Sequence, residues 1–173
     1  MDPTHKAESA RPRRVHALCL LALLAAAASS AAPPISEEYP RSALEVRGAS
    51  GRQWFNVAIA DTPARQELGL MYVHSLPSDA GMLFPQREPQ LMSMWMKNTL
   101  IPLDMLFIDA RGRIVCLLEQ AKPQSLDILS CDKPVKAVLE INGGEAARRG
   151  IRRGERVYYK WPPAEAPTQQ IDR

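Results

Sequence analysis

The stretch WMKNTLIPLDMLFID, residues 95–109, decides the fold, because it places a polar turn between two apolar strand candidates. Residues 91–95 precede the turn and residues 103–108 follow it. Asp109-Ala110-Arg111-Gly112 then has the composition of a second turn. A buried polar group without a partner costs up to several kcal/mol. The stretch therefore predicts a structural network or a binding site built from its polar residues, Lys97, Asn98, Thr99 and Asp104.

Most of the chain on either side also has the periodicity of strands. We expect further strands at residues 53–60, 81–84, 113–119, 135–141 and 155–160. Strands and helices do not alternate regularly along the chain, so a doubly wound sheet is not expected. Seven to eight short strands with two short helices predict a mainly β domain, either a β-sandwich or an open barrel.

Two short helices interrupt the strands. Thr62 and Pro63 are typical of an N-cap and a first helical position, and they predict a helix that runs to about Tyr72. An Arg-rich second helix follows Asn142, which we expect to cap it with Glu145 as the partner in a capping box. Gly150 is expected to end that helix.

Residues 1–32 have the form of a secretory signal peptide. A basic start precedes the apolar run from Val15 to Ala28, and small residues then lead to Pro33-Pro34. The run is short for a bilayer span, which needs roughly 20 apolar residues. We therefore expect a secreted or periplasmic protein, with an uncleaved membrane anchor as the alternative.

The mature chain is expected to be one domain. We expect a flexible lead-in at residues 33–42, the β domain at residues 43–160 and a disordered Pro-rich tail at residues 161–173. The chain has 22 basic and 19 acidic residues, and removing the four basic and two acidic residues of the leader leaves 18 against 17. This balance does not indicate nucleic acid as a partner. His74 is the one histidine outside the leader, which argues against multi-histidine metal sites and hydrolase triads.

Cys116 and Cys131 are the two cysteines outside the leader. In an oxidising compartment they could pair across the loop between them. Cys116 also falls inside a strand pattern, where cysteine is often a small buried hydrophobe. The sequence leaves the two interpretations open and slightly favours the unpaired one.

Successive short blocks resemble those of the domain of unknown function 192 family: Gly69-Leu70-Met71, Gly81-Met82-Leu83-Phe84, Trp95-Met96-Lys97-Asn98-Thr99, Pro102-Leu103-Asp104, Val138-Leu139-Glu140 and Gly150-Ile151. The resemblance covers roughly residues 44–159. It implies a small, mainly β, sandwich-like domain that is often exported, and it brings no established activity. Arg65-Gln66 stands where a Glu-Arg pair is usual in the family, and Val73 where a basic residue is common.

The candidate ligand-binding residues are Trp95, Lys97, Asn98, Thr99, Asp104 and Glu140. Lys97 and Asn98 would bind an anionic or carbonyl group, and Trp95, on the same strand face as Lys97, would supply an apolar wall. Glu140 stands alone between Leu139 and Ile141 and would complete the network. The structural alternative is an ion pair between Lys97 and Asp104 that fixes the turn.

We favour a non-catalytic binding module for a small ligand or an envelope partner, without a cofactor. An enzyme using Lys97 and Asp104 as an acid/base pair is one alternative, although no nucleophile constellation supports it. A periplasmic Cu(I) protein is another, because Met92, Met94 and Met96 would share one face of a strand. Membrane contact is expected only through the leader or an arginine patch at residues 148–156.

Overall fold

The structure is a computed structural model, and it describes residues 39–160. The predicted signal peptide (residues 1–32) and the Pro-rich tail (residues 161–173) lie outside the described residues, as does most of the predicted lead-in. Within residues 39–160, no helix is long and apolar enough to cross a membrane.

Nine strands and two short helices make up the described part of the chain, which confirms the mainly β prediction. The strands are β1 (Arg41–Gly48), β2 (Gly51–Ile59), β3 (Ala80–Gln90), β4 (Ser93–Met94), β5 (Leu103–Ile108), β6 (Ile114–Ala121), β7 (Leu129–Ser130), β8 (Val135–Asn142) and β9 (Arg156–Tyr159). The helices are α1 (Pro63–Leu68) and α2 (Glu145–Arg149). The first strand begins at Arg41, two residues before the predicted start of the domain.

Seven strands form one sheet in the order β6-β5-β8-β3-β2-β1-β9, and β4 pairs with β7 in a small second sheet. All neighbours in the large sheet are antiparallel except β2 and β3, which are parallel. Parallel strands need a crossover connection, and α1 lies in it. The two edge strands approach each other at an isolated bridge between Arg113 and Arg156, but the sheet does not close into a barrel.

Strand β5 is the most deeply buried strand of the fold, since all six of its residues are buried. It has the bounds that the sequence predicts. Its side chains alternate between two apolar clusters: Leu103, Met105 and Phe107 belong to one, and Leu106 and Ile108 to the other. A strand with neighbours on both sides and apolar layers on both faces has a continuous apolar sequence. This is why the sequence alone predicts β5.

Helix α1 begins as predicted and ends earlier than predicted. Thr62 Oγ1 accepts a hydrogen bond from the Arg65 N–H at 3.3 Å, and Pro63 is the first helical residue. The helix ends at Leu68, because Gly69 adopts a positive φ of 49° that the helix cannot continue through. The segment up to Tyr72, predicted as helix, is instead a loop.

The predicted N-cap of α2 is wrong. Gly144 takes the N-cap position at a φ of 87°, and it makes no side-chain capping bond. Asn142 donates its amide to the carbonyl of Leu76 at 2.6 Å instead. Asp104 does the capping from strand β5, accepting the N–H of Gly144 at 2.9 Å and that of Ala146 at 2.8 Å. The end of the helix at Gly150, which has a φ of 67°, is confirmed.

Cys116 and Cys131 form a disulfide with their Cα atoms 6.1 Å apart, which resolves the pairing that the sequence leaves open. Cys116 lies in β6, and Cys131 directly follows β7. Strand β7 pairs with β4 through only two residue pairs. The disulfide therefore anchors the small β4–β7 sheet to the large one.

Candidate functional site

Glu140 interrupts an otherwise apolar face of the large sheet. In the strand register it lies between Met82 of β3 and Met105 of β5, and both of these side chains are 0% exposed. Glu140 itself is 4% exposed. Its chain neighbours Leu139 and Ile141 belong to the apolar cluster on the opposite face. A single carboxyl group is thus buried among large apolar side chains.

No hydrogen bond or ion pair involves the Glu140 side chain among residues 39–160, and its oxygens are reached only from the cavity. Burial alone raises the pKa of this carboxyl to about 8. The side chain instead lines a cavity of about 130 Å³ that is partly open to solvent. Perturbed carboxyl groups in clefts are common at functional sites, although structural networks also produce them.

Helix α1 and the residues that follow it form one wall of the cavity. Strand β4 and its neighbours form the opposite wall. Its lining is Gln66, Glu67, Leu68, Gly69, Leu70, Met71, Phe84, Met92, Ser93, Met94, Trp95, Thr99 and Glu140. Leu68 and Trp95 are 46% and 47% exposed, so they lie where the cavity meets solvent. A cleft that combines apolar side chains with a few polar ones, here Gln66, Glu67, Ser93, Thr99 and Glu140, has the composition of a small-ligand site.

Gln66 fastens α1 over the cavity. Its amide donates to the Ala60 carbonyl at 3.1 Å and to the Pro85 carbonyl at 3.0 Å, which joins the helix to the end of β2 and to the middle of β3. The family pattern usually has a basic residue at this position. In this chain a neutral amide satisfies two backbone carbonyls there, and the cavity has no cation at that point.

Asn98 joins the two walls of the cavity. It has a positive φ of 55°, a conformation that asparagine tolerates better than most residues, and its amide donates to Tyr72 Oη at 2.9 Å. The same amide lies 3.8 Å from Met71 Sδ. In return, the Tyr72 N–H donates to the Asn98 carbonyl at 2.9 Å. These bonds hold the loop after α1 against the turn after β4.

Lys97 lies at the surface, beside the cavity and not in its lining. Its Nζ is 5.1 Å from the centre of the Trp95 ring, a cation–π contact. Thr99 is 4% exposed, and its hydroxyl donates to the Lys97 carbonyl at 3.3 Å. Lys97 therefore contributes a positive charge to the exposed rim at Trp95.

Asp104 is not part of this site, and the expected network of Lys97, Asn98 and Asp104 is wrong. Asp104 is 0% exposed, and besides the two N–H groups of the α2 turn it accepts the Gln120 N–H at 2.8 Å. Lys97 and Asp104 form no ion pair in the described part of the chain. Because Asp104 is saturated by backbone donors, an acid/base pair with Lys97 has no geometric basis.

Met92, Met94 and Met96 lie in two different environments. Only Ser93 and Met94 are in strand conformation, so the expected strand over residues 91–95 is shorter than predicted. Met92 and Met94 are half-buried and line the cavity, whereas Met96 is 0% exposed and belongs to the core. The three thioethers therefore do not share one accessible face, which the expectation of a Cu(I) site at Met92, Met94 and Met96 requires.

Two arginines of the predicted patch at residues 148–156 make contacts within the domain. Arg148 and Arg149 both donate to the Glu145 carboxylate, which lowers the pKa of Glu145. The Arg149 guanidinium also lies 4.3 Å from the centre of the Phe55 ring and donates to the Ser78 carbonyl. The arginines of the predicted patch that remain exposed and outside these contacts are Arg152, Arg153 and Arg156.

Of the six predicted ligand-binding residues, the structure brings Trp95, Thr99 and Glu140 together in the cavity lining. Asn98 contacts Met71 of the cavity wall without lining the cavity, and Lys97 lies at the rim beside Trp95. Asp104 lies outside the cavity, where it accepts the Gln120 N–H. Sequence reasoning missed the wall formed by residues 66–71 and by Phe84. The signal that could have found the cavity is the lone glutamate in the apolar strand pattern of β8.

The fold and the cavity define a small, single, mainly β domain with a buried carboxyl group at a partly open cavity. Residues 44–159 match the model of DUF192, described as an uncharacterized ACR, and the chain belongs to this family. No curated protein matches the chain.

Two solved structures are similar along most of their length. One is a protein from Sinorhizobium meliloti 1021 provisionally described as a transcription regulator, with 39% identity, a TM-score of 0.69, and coverage of 73% of this chain and 98% of that one. The other is a protein of unknown function from Novosphingobium aromaticivorans DSM 12444, with 38% identity, a TM-score of 0.69, and coverage of 76% of this chain and 94% of that one. These relatives have the same fold and give no activity for the cavity.

Proposed function

We propose that this protein is an exported, non-catalytic binding module that holds one group of a small ligand against Glu140. The observation that carries the proposal is a carboxyl group on an otherwise apolar sheet face that has no protein partner among residues 39–160 and whose oxygens are reached from the cavity. An isolated buried polar group is costly unless something satisfies it. A ligand that donates a hydrogen bond, or that carries a positive charge, would supply the missing partner.

The size of the cavity limits what can enter it. A cavity of about 130 Å³ is close to the engineered apolar cavities, about 150 Å³, that accept benzene. A group of that size would fill the site, and the rest of a larger ligand would lie over the rim. Exposed apolar side chains are available on segments near the rim, namely Leu68, Leu91, Trp95, Leu126 and Ile128.

Binding is favoured over turnover by the lining of the cavity. Glu140 is the one buried titratable side chain among the lining residues, and they include no histidine, cysteine or lysine. General acid–base or nucleophilic catalysis usually needs a second group within hydrogen-bond reach of the first. The lining offers one buried carboxyl group, that of Glu140, and a second, exposed one on Glu67, which suits recognition.

The transcription-regulator description of the Sinorhizobium relative does not carry over to this proposal. The two helices among residues 39–160 have six and five residues, too short for a helix that reads the major groove. Without the leader, the chain also has a nearly balanced charge. Neither feature supports contact with nucleic acid.

Export is supported by two independent features. Residues 1–32 have the pattern of a signal peptide, and the Cys116–Cys131 disulfide suits an oxidising compartment. We expect N-terminal sequencing of the protein from the culture medium or periplasm to start between Ser29 and Pro33. A mature chain that still carries Leu20 to Ala28 would contradict export in soluble form.

The binding proposal predicts a ligand that depends on Glu140. Native mass spectrometry of the protein from its own envelope should show an adduct that is lost in Glu140→Leu. That variant removes a buried polar group at similar volume, so its fold should be retained, and its thermal unfolding is measured alongside.

Glu88→Leu, at an exposed glutamate of β3, is the matched control and should keep the adduct. Where the wild type carries no adduct, n-butylamine and n-butanol are titrated against the three proteins by NMR. Binding by the wild type and Glu88→Leu, but not by Glu140→Leu, is expected. Equal behaviour of all three proteins would overturn the proposal.

A further inference from the structure

The methionines of this domain are concentrated around Glu140. Six methionines occur among residues 39–160, and none belongs to the apolar cluster on the face opposite Glu140. Met82, Met96 and Met105 are 0% exposed in the cluster on the same face as Glu140. The other three, Met71, Met92 and Met94, are half-buried and all line the cavity.

The lining methionines differ from those that fill the core. Methionine is a common filler of irregular apolar space, and the three fully buried methionines perform that task here. Met92 and Met94 pack against the edge of the core cluster, and Met71 Sδ accepts the Asn98 amide at 3.8 Å, but all three side chains also line the cavity, where a thioether sulfur has a further lone pair for a ligand. Thioethers are soft donors that select soft ions such as Cu(I).

The three lining thioethers come from two segments that the fold holds together. Met71 lies in the loop after α1, and Met92 and Met94 lie in and next to β4. The Asn98 amide contacts Met71 Sδ and joins the two segments, while the disulfide anchors the small sheet that contains Met94. A donor set held in place by its surroundings binds with little loss of conformational freedom.

We propose that the cavity binds one soft monovalent metal ion, Cu(I) or Ag(I), through the thioethers of Met71, Met92 and Met94 and the carboxylate of Glu140. The proposal rests on the binding function proposed above and names the ligand class for the same cavity. Neutral thioethers add no charge, so the carboxylate that forms when Glu140 releases its proton to solvent balances one monovalent ion. The buried carboxylate gains the positive partner that the described residues do not provide.

This donor set differs from a linear row of methionines. It includes Met71, which is far from β4 in the sequence, and it excludes Met96, whose side chain is in the core. Met71→Leu should therefore weaken metal binding, and Met96→Leu should not. Leucine is close to methionine in volume, so both variants are expected to fold.

The test uses Ag(I) in air, without a reductant, so that Cys116 and Cys131 stay paired. Isothermal titration of the full mature chain should show one Ag(I) per protein. Met71→Leu/Met92→Leu/Met94→Leu should weaken binding by about 100-fold or more, because all three soft donors are lost. Glu140→Leu should also weaken it, whereas the control variants Met96→Leu and Met105→Leu should bind like the wild type.

Two results would overturn the metal proposal. One is an absence of Ag(I) binding by the wild type, and the other is unchanged binding by the triple variant. Should the Glu140-dependent organic adduct persist while Ag(I) binding fails, the metal proposal falls and the binding module stands. Loss of both would remove both proposals.

Discussion

The free energy of unfolding should fall by roughly 1.4 kcal/mol for each pH unit between about pH 4.5 and pH 8, and Glu140 should be the cause. Burial raises the pKa of this carboxyl to about 8 in the folded protein, from an ordinary value of 4.5. In that interval the folded state keeps a proton that the unfolded state has released. The unfolded state binds fewer protons, so stability decreases as the pH rises.

The whole interval would remove roughly 5 kcal/mol of stability, which is a large fraction of a typical domain's total. Urea unfolding of the metal-free, ligand-free protein at pH 5, 6, 7 and 8 measures this slope. Glu140→Gln stays neutral at every pH, so it should flatten the profile and be the more stable protein at pH 8. Glu88→Gln, at an exposed glutamate, should follow the wild type.

Glu145 does not interfere with this measurement. Its hydrogen bond with Arg148 lowers its pKa, so the stability that it contributes is present above about pH 4.5 and is lost only in more acidic solution. A slope between pH 5 and pH 8 that persists in Glu140→Gln would show that another group is responsible. It would also remove the argument that Glu140 is poorly solvated.

Asp104→Ala should lower the free energy of unfolding by roughly 3 kcal/mol or more, since leaving a buried donor unsatisfied costs about 1–3 kcal/mol. The variant leaves three backbone N–H groups without an acceptor, those of Gln120, Gly144 and Ala146. Asp104→Asn should cost less, because its one amide oxygen can still accept. Urea unfolding at pH 6 measures both changes.

Asp109→Ala is the matched control, because Asp109 also accepts backbone N–H groups, from Arg111 and Arg113, but in an exposed turn. Water can replace an acceptor at that position, so the loss should be no more than about 1 kcal/mol. Equal losses in the two variants would show that Asp104 does not have the structural role assigned to it. A ligand adduct should persist in Asp104→Asn, since Asp104 is outside the cavity lining.

The sequence by itself determined the features that depend on short-range patterns. Strand β5 has its predicted bounds because a continuous apolar run is typical of a strand with covered faces. Helix α1 begins where Thr62 and Pro63 indicate, since capping is a property of a few adjacent residues. The family blocks were visible for the same reason, and the family match over residues 44–159 agrees with them.

Only the tertiary structure decided which distant residues meet. Asp104 was expected beside Lys97, its neighbour in the sequence, yet the antiparallel register of β5 with β8 carries it to the start of α2. The same register puts Glu140 between two buried methionines and beside a cavity walled by the loop after α1. Strand pairing joins residues tens of positions apart, and periodicity within a short window contains no information about that pairing. The sequence could single out Glu140, but only the packing of α1 and β4 around it turned an isolated carboxyl group into a site.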